Sequence, residues 1–248
     1  VTASSQPVLT CERLVLGYGA PILPPIDLTI RGGELWAIMG LNGAGKSTWM
    51  RTVLDLQPAF SGKVTRAPGL RVAYVPQQAA LDPIYPVKAH DMVEMGLLGP
   101  SRVLGFPSSD ERRRCREALE QVGIPDLAGK PLRDLSGGQR QRVLIARAIA
   151  SGAQLFFFDE PTSALDYQAE MAVFELIDDL RHRPGAAVAI ITHEMHVLRT
   201  RGDRALLLDR EHQIVVSGKA ADVAASEAYT HLFGPASPAA AHASEGHG

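Results

Sequence analysis

The chain has 248 residues, 46% of them hydrophobic, with 25 basic against 27 acidic side chains and a formal net charge of −2. That length holds one large α/β domain with room for an inserted subdomain, and the near-neutral balance gives no electrostatic case for nucleic acid or an anionic membrane as a partner. Two cysteines, Cys11 and Cys115, are too few for a disulfide framework, no apolar stretch approaches the roughly 20 residues of a membrane span, and no basic-then-apolar leader opens the chain, so a soluble, cytosolic protein is expected.

No internal repeat is visible, so one folding unit is expected. Leu35–Met39 is a short apolar run that enters glycines, which reads as a buried strand meeting a turn. Helical spacing follows over Ser47–Leu56 and stops before Pro58; Leu70–Val75 reads as a strand stopped by Pro76. Charged helical segments then take over, notably Ser109–Val122, where Ser108 or Ser109 can cap and Glu111 lies in the first turn. A helix is expected over Gly137–Ala150, whose apolar run Arg147 interrupts. Leu155–Phe158 and Ala187–Ile191 restore short apolar strands, with a helix Asp166–Arg181 between them. The fold expected is α/β: a mixed, largely parallel sheet with flanking helices over residues 8–80 and 143–234, and an inserted α-helical subdomain over 81–142. The Ala-, Pro- and His-containing stretch 235–248 reads as a disordered tail. His212, in an expected turn, and His231, near the last helix, read as solvated, and a metal site on His242 and His247 is disfavoured because two flexible imidazoles close no coordination shell.

Three motifs carry chemistry. Gly40 to Ser47 matches G-x-x-x-x-G-K-[ST], a pattern a chain of this length meets by chance on the order of 1% of the time. Its glycines let successive N–H groups point at phosphate oxygens, and the next helix adds the positive end of its dipole. Gly40, Asn42, Gly43, Ala44, Gly45, Lys46, Ser47 and Thr48 are therefore the expected phosphate cradle of a P-loop NTPase core. Within it Lys46 serves the β- and γ-phosphates and Ser47 serves Mg²⁺. Asp159 and Glu160 end an apolar strand, where ligands sit in open parallel sheets; Asp159 is expected to hold Mg²⁺ through water and Glu160 to activate the attacking water. Leu135 to Gln139 reads Leu-Ser-Gly-Gly-Gln. Ser136 is a good N-cap, and Gly137 and Gly138 leave the first N–H groups of the helix uncovered, a second anion-binding helix start in one chain.

Together these motifs resemble the ABC transporter ATPase family, over roughly Leu9 to Phe233. The resemblance implies further roles. Tyr18 would stack on adenine, although a half-buried strand tyrosine is the plainer reading. Gln77 would sense the γ-phosphate and Mg²⁺, and His193 would contact the γ-phosphate. Ser163 to Asp166 would cross a dimer seam, although Asp166 could merely cap the next helix. Ser136, Gly137, Gly138 and Gln139 would close the ATP site of a second copy of the chain, paired head to tail. Catalysis would rest on Glu160, Gln77 and His193, and Mg²⁺ on Ser47, Gln77 and Asp159.

Leu81 to Val87 and Asp91 to Gly96 resemble the corresponding stretch of zinc and manganese importer ATPases, while Ser163-Ala-Leu165 departs from the pattern expected there. This implies a peripheral subunit on the inner face of the plasma membrane that uses ATP and Mg²⁺. It would be held by an integral-membrane permease and serve a substrate-binding protein indirectly. Tyr85 and Met95 are expected to help form the permease-docking groove. The alternatives are an importer of iron chelates or cobalamin, an exporter, and a soluble ABC ATPase outside transport.

Overall fold

The computed structural model describes residues 6–77, 87–98, 107–163, 165–192 and 200–234. Two sheets form the frame. Strands β1 (Pro7–Val15), β2 (Ile26–Arg31) and β4 (Ser61–Arg66) make an antiparallel sheet ordered β2-β1-β4. The larger sheet runs β5-β6-β7-β3-β8-β9, with β3 (Leu35–Met39), β5 (Val72–Val75), β6 (Leu155–Asp159), β7 (Ala187–Ile191), β8 (Arg204–Asp209) and β9 (Ile214–Lys219). Its first five strands are parallel and only β9 is antiparallel, on the edge.

The three runs expected as buried strands are so because both faces of the parallel sheet are covered. Successive side chains of a strand point to opposite faces, and β6 shows the consequence. Phe156 and Phe158 pack with the helices, whereas Leu155 and Phe157 face the antiparallel sheet and helix α1 (Lys46–Val53). Trp49 of α1 is fully buried there and meets Phe157 edge-on at 6.0 Å. A third cluster joins Ala37, Met39, Ala205 and Leu207 to Tyr229 of the short helix Glu227–Phe233.

Between β5 and β6 the described residues include the helices α2 (Ala89–Glu94), α3 (Ser109–Gln121) and α4 (Gly137–Ala150). Ser108, not Ser109, caps α3, in a reciprocal capping box with Glu111. Helix α4 is continuous through residue 142, where the insertion was expected to end, and it packs both on α2 and α3 and on α5 (Tyr167–Arg181). Helix α1 starts at Lys46 and ends at Val53, three residues earlier than its spacing suggests, and Asp55 then turns into the left-handed region at φ 65°. The expected strand over Leu70–Val75 begins only at Val72, after a turn at Gly69 with φ 71°. None of the helices among the described residues is long and apolar enough to cross a membrane. His193, Tyr85 and the stretch 235–248 lie outside the described residues.

Candidate nucleotide-binding site

The strand β3 delivers the chain to Gly40 at φ 147°, where a Cβ would fall 2.3 Å from the Leu208 carbonyl oxygen. Gly45 closes the loop at φ 102°, with room for a Cβ blocked by Leu23 at 2.8 Å. At Gly40 the backbone angle and the Leu208 carbonyl both refuse a side chain, whereas at Gly45 the angle strains any other residue and a Cβ would displace the Leu23 side chain. Between them the loop wraps around Lys46, which is only 7% exposed and donates from Nζ to the carbonyl oxygens of Gly40 at 2.6 Å and Leu41 at 3.0 Å. Burial lowers the pKa of this ammonium, and the carboxylates of Glu160 and Asp159 partly offset that.

Asp159 and Glu160 face the lysine from the end of β6. Tyr74 on the neighbouring strand donates from its hydroxyl to Asp159 Oδ2 at 3.2 Å. Burial raises the Asp159 pKa and the Glu160 charge adds to it, while the Tyr74 hydrogen bond, Lys46 and Arg51 work against them. Glu160 adopts φ 44°, an unfavourable angle for a side chain of this size and of a kind that clusters at functional sites. Gln77 Nε2 donates to Glu160 Oε2 at 2.6 Å and lies 3.4 Å from Ser163 Oγ.

These groups line one cleft of about 540 Å³, whose walls include Tyr18, residues 42–48, Gln77, Asp159 and Glu160. Tyr18 stands at the tip of a tight turn bridged by Gly17 and Pro21, 63% exposed, with its hydroxyl bonded to Gln57; it is not a half-buried strand residue. Sequence reasoning missed Arg210, which lines the cleft from just beyond β8, and the Tyr74 hydroxyl behind Asp159. Strand-end position was the available signal for Arg210. Nothing local in the sequence pairs Tyr74 with Asp159.

The Ser136 helix start is built as expected: Ser136 Oγ accepts from Gln139 N at 3.2 Å, and Gln139 Oε1 accepts from Ser136 N at 3.0 Å. Asp166 caps α5 by accepting from Ala169 N at 2.9 Å, and Ala169 packs beside Gly138, so the two helix starts adjoin. Neither Ser136–Gln139 nor Asp166 lines the cleft.

A glycine loop closed on a buried lysine, facing a carboxylate pair at the ends of parallel strands, defines a P-loop domain that handles nucleoside triphosphates. Residues 23–163 match the family model described as ABC transporter. The zinc import ATP-binding protein ZnuC of Ruegeria pomeroyi is 38% identical over 231 residues, 93% of this chain and 85% of that protein. ZnuC of Cereibacter sphaeroides is 38% identical over 213 residues, 86% of this chain and 82% of its own. Among solved structures, a transporter of the metal-chelate ABC type in an inward-facing conformation superposes with a TM-score of 0.84 at 31% identity, covering 92% of this chain and 88% of that one. The dimeric cassette MJ0796, in a post-hydrolysis state bound to ADP and Pi, gives 0.70 at 29% identity, covering 86% and 98%. The chain belongs to the ABC transporter family, as an ATP-binding and ATP-hydrolysing member.

Proposed function

We propose that this chain is the ATPase subunit that powers zinc uptake through a membrane permease, working as a head-to-tail pair with two composite ATP sites. The observation that carries the pairing is the division of the site: cradle, lysine and carboxylates share one cleft, while the Ser136–Gly138 helix start lies elsewhere on the same chain. A second copy can supply that helix start to the first copy's γ-phosphate, and its N–H groups suit an anion. The dimeric MJ0796 supports this arrangement. The ZnuC relatives support zinc as cargo; none of those reported above is named for manganese. The metal-chelate neighbour supports a second reading in which the cargo is a chelated metal.

The residues have assignable parts in this reading. Tyr18, exposed beside the cradle, stacks on the adenine ring. Lys46 exchanges its two carbonyl partners for phosphate oxygens. Mg²⁺ fits this donor set, since a hydroxyl (Ser47), an amide (Gln77) and a carboxylate whose ionised form is costly in isolation (Asp159) suit a hard cation. When bound, the ion neutralises charge on the β- and γ-phosphates. Glu160 takes the proton of the attacking water, and Gln77, already bonded to Glu160, holds it in place. His193 is proposed to contact the γ-phosphate, and Met95, 46% exposed at the end of α2, to meet the permease. The substrate-binding protein acts on the far side of that permease.

The test is uptake. Expressed with its cognate permease in bacteria stripped of their own zinc importer, the wild-type chain should restore cellular zinc measured by elemental analysis, and Glu160→Gln should not. Accumulation of another metal with zinc unchanged overturns the cargo assignment.

A further inference from the structure

Tyr18 stands on a turn whose base is firmly held and whose tip is not. Ile22 N donates to the Leu16 carbonyl oxygen at 2.9 Å, Gly17 and Pro21 bridge, and a Cβ on Gly17 would fall 2.2 Å from the Ala20 carbonyl oxygen. From the turn between β8 and β9, Gln213 Nε2 donates to the carbonyl oxygens of Ile22 at 3.1 Å and Arg210 at 2.8 Å, which ties the base of the Tyr18 turn to a second wall of the cleft. The Tyr18 ring itself is 63% exposed. An exposed ring hops between χ1 rotamers in picoseconds to nanoseconds, and a base that stacks on it must stop that motion.

One contact limits the swing. The Tyr18 hydroxyl donates to Gln57 Oε1 at 2.5 Å, across 39 residues of sequence. A tyrosine oxygen lies on the axis that runs from Cβ through the ring, so holding it fixes the direction of that axis, and hence χ1, and leaves only rotation about the axis. The segment that carries Gln57 is itself anchored on both sides. Before it, α1 ends at Val53, Leu54 N donates to the Met50 carbonyl oxygen at 2.9 Å, Leu56 N donates to that of Arg51 at 2.9 Å, and Asp55 turns at φ 65°. After it, Phe60 N donates to the carbonyl oxygen of Val15 at 2.9 Å, at the end of the strand that leads into the Tyr18 turn. The phosphate cradle and the anchor of the ring thus lie beyond the two ends of one helix.

The amide is costly where it stands. Gln57 Nε2 is buried with no hydrogen-bond partner among the described residues, a loss that a methionine of similar length would avoid. Local packing alone therefore does not account for an amide here, whereas a task for its Oε1 does.

We propose that Gln57 is a positioning residue for the nucleotide base: it holds the Tyr18 ring in its stacking orientation before ATP arrives. The proposal rests on the reading of Tyr18 as the adenine platform. Ordering the ring in advance removes that cost from binding, which is worth about 2- to 10-fold in ATP affinity for one immobilised side chain. Every base has a π-face, so Gln57 acts on how tightly a base is held and not on which base is chosen.

The test is calorimetric titration of the chain with Mg-ATP and, separately, with Mg-tripolyphosphate, which offers the phosphates without the base. Gln57→Met keeps the side-chain length and loses the acceptor; it should weaken ATP by the stated factor and leave tripolyphosphate unchanged. Gln57→Glu restores an acceptor and should bind ATP as wild-type does. Tyr18→Phe should weaken ATP as much as Gln57→Met, and combining the two should cost nothing further. Unchanged ATP affinity in Gln57→Met, an equal loss of tripolyphosphate binding, or full additivity of the two substitutions overturns the positioning role. Tyr18→Ala separates this proposal from the reading beneath it. If that variant binds ATP as wild-type does, the adenine platform itself falls; if it loses affinity while Gln57→Met does not, only the role of Gln57 is overturned.

Discussion

The proposed division of the nucleotide site between two copies can be tested through Ser136. As a cap this residue makes one accepting bond at 3.2 Å, within a box that Gln139 closes at 3.0 Å. Losing it to Ser136→Ala costs about 1 kcal/mol, which for a domain of this size lowers Tm by about 2–4 °C. If capping were its whole role, hydrolysis at 25 °C would survive that loss and also the bulkier Ser136→Arg. If the helix start faces the partner's γ-phosphate, Ser136→Arg blocks the seam and hydrolysis falls to background while nucleotide still binds the cradle. Lys46→Ala spoils the other half of the site, because the buried ammonium has no substitute within the loop.

Mixing the two variants gives the arithmetic. A mixed dimer has one site carrying both lesions and one site carrying neither. In an equal mixture about half of the dimers are mixed, so independent sites would restore about a quarter of the wild-type rate per chain from two inactive parents. Phosphate release under saturating Mg-ATP measures it. Wild-type turnover by Ser136→Arg alone would refute the composite site. No recovery in the mixture, with mixed dimers verified by tagged pull-down, would refute independent firing.

Glu160→Gln should bind ATP but turn over roughly 10²- to 10⁴-fold more slowly, the usual worth of a general base; sizing chromatography should then show an ATP-held dimer, and near-wild-type turnover would remove Glu160 from its role. Tyr74→Phe removes a hydrogen bond that favours the charged form of Asp159, whose pKa is already raised by burial. If Asp159 holds Mg²⁺ as proposed, binding of Mg-ATP needs that carboxylate ionised, so affinity falls as pH drops through the raised pKa. The variant's acid limb should therefore move to higher pH, and an unmoved or lowered limb contradicts the assignment. The Tyr74 hydroxyl itself, pushed up to about 12 by burial and by Asp159, stays protonated throughout such an assay. Met95→Asp should release the ATPase from permease-bearing membranes and leave its soluble turnover unchanged; continued co-sedimentation would mean that this end of α2 is only a solvated surface.

What the sequence made legible was local. β3, β6 and β7 announce themselves as uninterrupted apolar runs because both faces of the sheet are covered, and the starts of α3 and α4 are written in their serine caps. The antiparallel sheet gave no such signal. β4 runs Ser61–Arg66 with no fully buried side chain, and β1 slips register between Cys11 and Leu14, around Arg13 at φ 45°, which breaks the alternation that marks a strand. Tyr74 and Asp159 meet only because β5 and β6 pair in parallel, with Tyr74 opposite Phe157 and the acid two residues further on. His212 and His231, whose rings meet edge-on with centres 4.6 Å apart, are 19 residues apart with a strand and a helix between them, so no spacing rule could join them.

Arg147 shows most sharply how a residue can be read correctly and still be misjudged. In sequence it interrupts an apolar run, and that was its whole meaning. In the fold its guanidinium is half buried, enough to lower its pKa, and reaches the Tyr74 carbonyl oxygen at 3.1 Å and the Met92 sulfur at 3.7 Å. Its own carbonyl oxygen would meet a Cβ on Gly96 at 2.3 Å. One side chain on the helix capped by Ser136 thus ties the strand leading to Gln77 to α2, the helix that ends at Glu94. A charge half removed from water is expensive unless its donors are satisfied, so these contacts resist separate movement. If Gln77 shifts with the γ-phosphate as proposed, the Arg147 bond to Tyr74, three residues before it, gives that shift a route to α2 and α4. In the proposed mechanism Arg147 would link Gln77, the proposed permease-facing end of α2 and the helix start proposed to meet the partner copy.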